Sequence, residues 1–187
     1  MSARKQAVLD AIDAANSHDP NVDDGQPEAL QYGKRMSAEM DRLFPEASDA
    51  LQIAARGQHI ERWKLARSEY PEGRAGYLAW RKAQGVHHAN TVMSLMTEGG
   101  YSEPEIDAAG RMLRKQGIKR DAEVQALEDV ICFVFLKWYF QPFADKHSPE
   151  KIQRIVEKTA RKMSPEGRAR VLVEFDLPKP LAAAFRG

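Results

Sequence analysis

Leu127-Glu128-Asp129-Val130-Ile131-Cys132-Phe133-Val134-Phe135-Leu136 reads as a helix that is apolar on nearly every side, with two adjacent carboxylates set into it. Asp121 stands ahead of it as a good N-cap, and the helical reading runs on to Gln141, just before Pro142. A helix of that composition belongs in a core, so other elements must cover it. The rest of the chain offers helices for that purpose.

Upstream, Ser102-Glu103-Pro104-Glu105 has the form of a capping box for a helix ending at Gly117. Before it lies the longest helix, opened by Pro71 and closed by the C-cap pair Gly99-Gly100. Gly85 interrupts that helix at a cost of about 1 kcal/mol relative to Ala, which marks a kink or a close approach. At the start of the chain Val8, Ala11, Ile12 and Ala15 recur at helical spacing, giving a helix over roughly residues 3–16. Asn16 to Gln26 reads as a loop. Pro27, a good first helical residue, opens a second helix that runs to Phe44 on a stripe of Leu30, Met36, Met40 and Leu43. Pro45 stops it and starts a third. There the stripe of Ala47, Leu51, Ala54 and Ala55 runs on into Gln58, His59 and Arg62. Downstream, Ser148-Pro149-Glu150 and Ser164-Pro165-Glu166 are N-cap signatures for two more helices, the second ending near Val171-Leu172-Val173. The tail from Leu177 either packs or frays. With no convincing strand alternation, the expectation is an all-α single domain over 1–187, a bundle of about eight helices with a core over about 3–175 and a C-terminal tail over 176–187.

The 187 residues suffice for a real core, and a net charge of +1 gives no global attraction to nucleic acid or membrane. The single cysteine, Cys132, excludes an internal disulfide framework and a cysteine-rich zinc site. The longest uncharged apolar run, Val130 to Leu136, is far too short for a bilayer. The first residues lead into a polar helix rather than a signal segment, so a cytoplasmic protein with no membrane partner is expected.

Chemistry gathers in three places. Glu128 and Asp129 are costly to bury unless they meet a cation, hydrogen-bond donors or a metal. One reading places one at the surface and pairs the other with an arginine such as Arg62 or Arg35. The other makes them a metal ligand and a base. Tyr77, Arg81, Gln84, His88, Thr91 and Leu95 share one face of the long helix, and His88 rather than His87 continues that line. Imidazoles with a carboxylate suit zinc, manganese or iron, although the short His-Glu-x-x-His spacing is absent. Arg35, Arg62 and Arg81 are interleaved with Tyr32, Trp63 and Tyr77, a combination that receives phosphate or carboxylate. Arg67 and Arg74 read instead as surface ion-pair residues. Lys151, Arg154, Lys158, Arg161, Lys162, Arg168 and Arg170 read as a solvated face, with RNA contact as the alternative.

Several strings resemble the family called domain of unknown function 4202. They are Ala11-Ile12-Asp13-Ala14-Ala15-Asn16, Gln31-Tyr32-Gly33-Lys34-Arg35-Met36, Gln58-His59-Ile60-Glu61-Arg62-Trp63, Gly76-Tyr77-Leu78-Ala79-Trp80-Arg81 and Leu127-Glu128-Asp129-Val130, with Tyr70-Pro71, His88-Ala89 and Lys158 to Ser164. The family name implies no activity. A more distant similarity is to HD-domain metal-dependent phosphohydrolases. The stretch Ala50 to His59 is similar to the one leading into their His-Asp pair, and Asp129 matches their final Asp. Ile60 stands where the paired Asp is found, and Tyr32 or Arg35 where the first His is found.

That similarity implies a divalent metal (Zn, Mn or Fe) held by His59, His88 and Asp129. Its water would attack an anionic small molecule bound by Tyr32, Arg35, Arg62, Trp63, Tyr77 and Arg81, with Glu128 and Arg62 as catalytic groups. The alternative is a metal-free nucleotide or anion binder on a degenerate HD-like fold, or an RNA-associated protein.

Overall fold

The computed structural model describes residues 2–186 and is helical throughout apart from one short hairpin. The chain divides into two compact units, Met1–Gly117 and Ile118–Gly187.

In the first unit, α1 (Ala3–Asn16) is capped by Ser2, whose side chain accepts from the Lys5 amide. It buries Val8, Leu9 and Ile12. A two-residue hairpin, β1 (Val22–Asp23) and β2 (Gln26–Pro27), occupies what the sequence reads as plain loop, and Asp24-Gly25 turns it with positive φ at both residues. Pro27 lies in this hairpin and immediately precedes α2 (Glu28–Leu43), one residue outside the position expected for it. Met36 and Met40 on α2 are fully buried.

The third helix is shorter than its stripe suggests. α3 (Asp49–Arg56), capped by Ser48, ends before Gly57. Its C-cap, Gly57, passes Val92 so closely that a Cβ there would sit 2.4 Å from Val92 Cγ2, so glycine fits where a larger residue would not. The chain then turns away instead of continuing helically, and Glu61 adopts a left-handed φ of 50°. Buried Asn16, at the end of α1, fixes that turn by accepting from the Glu61 amide at 3.0 Å. His59 and Arg62 therefore sit on a turn rather than on a helix stripe. The long helix α4 (Gly73–Glu98) is continuous through Gly85, where a Cβ would lie 3.4 Å from the Leu113 carbonyl. Gly85 thus marks a close approach to α5 (Glu103–Leu113), whose capping box at Ser102 and Glu105 forms as the sequence indicates.

α2 packs on α3, and α3 and α4 pack on α5. Where α2 meets α3, a Cβ on Gly33 would come within 2.8 Å of the Arg56 carbonyl oxygen, a backbone atom that cannot rotate aside. Gly33→Ala is expected to lower unfolding stability by about 1–3 kcal/mol, read as a lower urea midpoint at unchanged slope.

In the second unit, α6 (Ala122–Val134) is capped by Asp121 and buries Leu127, Val130, Phe133 and Val134. The helical backbone continues through a π-helical stretch over Phe135–Tyr139 into α7 (Phe140–Ala144), so it passes the expected end at Gln141 and carries Pro142 within it. α8 (Pro149–Lys162) and α9 (Pro165–Glu174) start at Ser148 and Ser164, as their N-cap signatures indicate. The tail packs: α10 (Lys179–Ala183) lies on α8, and Ala182 and Phe185 are buried. Among the described residues no helix is long and apolar enough to cross a membrane.

Candidate functional site

A pocket of about 400 Å³ opens in the first unit. One wall comes from the segment before α2 and the start of that helix: Asp19, Asn21, Glu28 and Ala29. The other comes from the turn after α3 and from α4: His59, Arg62, Trp63, Leu65, Arg67 and Trp80.

The wall before α2 is built by Asp19. Its Oδ1 accepts from the Asn21 amide at 2.9 Å, and its Oδ2 accepts from the Ala29 amide at 2.9 Å. Asp19 therefore supplies the N-terminal cap that Pro27 cannot, and its carboxylate is occupied by that task. Arg35 is occupied in the same way. Its guanidinium pairs with Asp23 at 2.5 Å, tying the hairpin to α2, and it does not line the pocket.

The opposite wall is held by α4. Buried Gln84 donates through Nε2 to the Arg62 carbonyl at 2.9 Å and to the Leu65 carbonyl at 3.0 Å. Trp80 Nε1 also donates to the Leu65 carbonyl, at 2.9 Å. These bonds fix a loop that has little regular structure of its own. Arg62 is carried on it with its guanidinium 4.7 Å from the Trp80 ring centre, a cation–π contact. Arg62 has no ion pair among the described residues. Burial and the nearby Arg81 lower its pKa, and Tyr32 and Glu28 act the other way. Arg67, which the sequence reads as a surface residue, is half-buried against the pocket and donates to the Tyr70 carbonyl at 2.9 Å. Tyr77 and Arg81 lie outside it. Both are exposed on α4, and Arg81 donates to the Tyr77 hydroxyl at 3.2 Å.

His59 stacks on Tyr32, with ring centres 3.7 Å apart, and the Tyr32 hydroxyl donates to Gln58 Oε1 at 3.2 Å. Burial foremost, then the positive charge of Arg62, holds the His59 pKa well below its ordinary value. The His88 ring centre is 6.1 Å away. His88 Nδ1 must carry the proton, since it donates to the Ile60 carbonyl at 2.8 Å. Its Nε2 is buried with no hydrogen-bond partner. Burial pushes the His88 pKa down to about 3.

An unfolded histidine titrates near 6.5, so on acidification the unfolded chain takes up a proton that the folded chain refuses. Stability is therefore expected to fall as pH drops from about 6.5 toward the folded value, by about 1.4 kcal/mol per pH unit for His88 alone. Urea midpoints at pH 7 and pH 5 check this. His88→Gln, which can still donate to the Ile60 carbonyl, should remove one proton from the dependence.

Glu128 and Asp129 belong to the second unit, and both are buried there. Lys162 Nζ stands 3.5 Å from Glu128 Oε1. Asp129 accepts from the Ser164 amide at 2.8 Å, the Ser164 hydroxyl at 2.5 Å and Gln125 Nε2 at 3.1 Å. Ser164 Oγ in turn accepts from the Gly167 amide, so Asp129 anchors the cap of α9. Burial raises the Asp129 pKa, and its Ser164 and Gln125 donors oppose that. Of the expected metal ligands, the structure brings His59 and His88 together, whereas both Asp129 oxygens are engaged by donors of its own unit. Among the described residues no three His, Cys, Asp or Glu side chains gather so as to hold a metal ion.

Residues 6–184 match a family model described as Domain of unknown function (DUF4202). The chain belongs to this family. No curated protein and no solved structure matches it.

Sequence reasoning missed Asp19 and Glu28. The signals were present: Asp19-Pro20-Asn21 is a turn sequence, and Glu28 is an acidic residue in a first helical turn.

Proposed function

We propose that the first unit binds an anionic small molecule, a nucleotide or a chemically similar anion, in the pocket between the start of α2 and the turn after α3. The observation that carries this reading is Arg62. It is a half-buried guanidinium that lines the pocket, rests on Trp80 and makes no direct salt bridge among the described residues. Keeping such a cation out of bulk water costs free energy that an entering anion recovers through charge-assisted hydrogen bonds. Arg67 adds a second cation, and Trp63 adds aromatic surface. The volume lies within the range of small-molecule sites. We read the helical frame as a degenerate HD-like one and the protein as cytoplasmic.

A thermal-shift panel of nucleotides, inorganic phosphate and divalent ions tests the reading. A ligand that binds only the folded state raises Tm. Stabilisation by nucleotides supports the pocket, and no shift with any anion at millimolar concentration sinks it.

Metal-dependent hydrolysis of the same anion is a second reading. It is favoured by the His59–His88 pair, two imidazoles whose depressed pKa values keep them neutral as ligation requires. Elemental analysis of protein purified without a histidine tag decides it. Near-stoichiometric Zn, Mn or Fe is the supporting result. Absence of metal after both purification and loading is the contrary one.

A further inference from the structure

Arg62 is not the only charged group left without a partner in this pocket. Glu28 lines the same cavity, and its carboxylate makes no hydrogen bond and no ion pair among the described residues. Only its backbone amide is engaged, donating to the Asn21 carbonyl at 2.9 Å. The two opposite charges face one cavity without reaching each other. Glu28 stands at the exposed rim of the cavity, whereas the neighbouring pairs Arg35–Asp23 and Arg56–Asp13 are joined directly. We propose that the ligand of this pocket is dipolar, with an anionic group received by Arg62 and Arg67 and a hydrogen-bond-donating nitrogen received by Glu28. The inference rests on the anion-binding reading and narrows its ligand class.

The surroundings agree with this. Asp19 is the other acid of the pocket, and both of its oxygens are already occupied by backbone amides of its own turn and of α2, so Glu28 is the acceptor that remains. Burial foremost, then the negative charge of Asp19 and Asp23 beside it, raises the Glu28 pKa, and Arg62 acts the other way. That negative surrounding makes a positive or proton-donating nitrogen the favoured neighbour and penalises a second anion at this end of the cavity. The arginines at the other end have the opposite preference. A ligand anionic throughout would satisfy Arg62 and be repelled at Glu28. A ring with an exocyclic amino group and a phosphate satisfies both, with the ring against Trp63.

Two matched pairs of nucleotides test this with the whole chain: AMP against IMP, and CMP against UMP, titrated calorimetrically at pH 7.5. In each pair an exocyclic amino donor becomes a carbonyl oxygen, which Glu28 would repel, and the adjacent ring nitrogen becomes an N–H donor, so the comparison reads the exocyclic amino group. The amino member of each pair is expected to bind about tenfold more tightly, a difference of about 1.4 kcal/mol. Glu28→Ala should bring the two members of each pair to equal affinity. Equal binding of both members to the unaltered protein overturns the dipolar assignment and leaves the anion site standing, as does a preference that survives Glu28→Ala. If none of the four nucleotides binds, the nucleotide form of the anion reading fails and this inference fails with it.

Discussion

Arg62→Ala is expected to weaken nucleotide binding by about 10- to 100-fold, because a charge-assisted contact to an anion contributes roughly 1.5–3 kcal/mol. The guanidinium is held for this role from two sides. Its backbone carbonyl accepts from Gln84, and its charged head lies over Trp80. Truncation removes the cation and leaves the Gln84 bond, which uses only main chain, so the loop that carries Trp63 and Leu65 should keep its place. A loss of affinity without a loss of Tm in the free protein is therefore the signature. Arg62→Lys should recover only part of the affinity, since an ammonium lacks the planar fork and the stacking surface. Arg35→Ala makes a useful contrast. Arg35 is committed to Asp23, so its loss should loosen the hairpin and lower Tm before it changes anion affinity. Unchanged nucleotide affinity in Arg62→Ala would remove Arg62 from the site.

Asp129→Ala is expected to cost roughly 3–5 kcal/mol of unfolding stability and to lower Tm by on the order of 10 °C. The carboxylate accepts from the Ser164 amide, the Ser164 hydroxyl and Gln125, all from a position 4% exposed to solvent. Ser164 is the N-cap of α9, so the substitution strands two donors and loosens the start of that helix at once. A Cβ at Gly167 would lie 2.9 Å from the Asp129 carboxyl carbon, which shows how closely α9 sits on this group. Asp129→Asn keeps the shape and the acceptor oxygen but brings an amide toward the Ser164 amide, so an intermediate loss is expected. Nucleotide affinity of the folded protein should not change, because every residue lining the pocket lies in the first unit. A variant that keeps its stability but loses a bound metal would replace this capping role with the ligand role that the HD-like similarity implies.

The helices were legible because their signals are local. Ser102-Glu103-Pro104-Glu105, Ser148-Pro149 and Ser164-Pro165 mark helix starts by hydrogen bonds formed within three residues, and those starts stand where the sequence puts them. The end of α3 was not legible. The stripe from Ala47 to Ala55 continues smoothly into Gln58 and Arg62, and the contacts that hold the turn after it, Asn16 accepting from the Glu61 amide and Val92 packed on Gly57, come from elsewhere in the chain. The pocket lining was legible in part: His59, Arg62 and Trp63, which line it, stand out as polar and aromatic groups interrupting apolar patterns, whereas Tyr32 stacks on His59 and is not among the lining residues. The partners of Arg35 and Asp129, the nearby Asp23 and the distant Ser164, are set by tertiary packing and do not show in spacing. Glu28 resembles any acidic residue in a first helical turn until Arg62 is seen to share its cavity.

The most direct test is a crystal structure of the chain soaked with AMP, in which the phosphate is expected within hydrogen-bonding distance of the Arg62 guanidinium, in the cavity bounded by Glu28, Trp63 and Trp80. An AMP phosphate bound elsewhere with this cavity still empty, or one seated there with Arg62 turned away, would contradict that expectation.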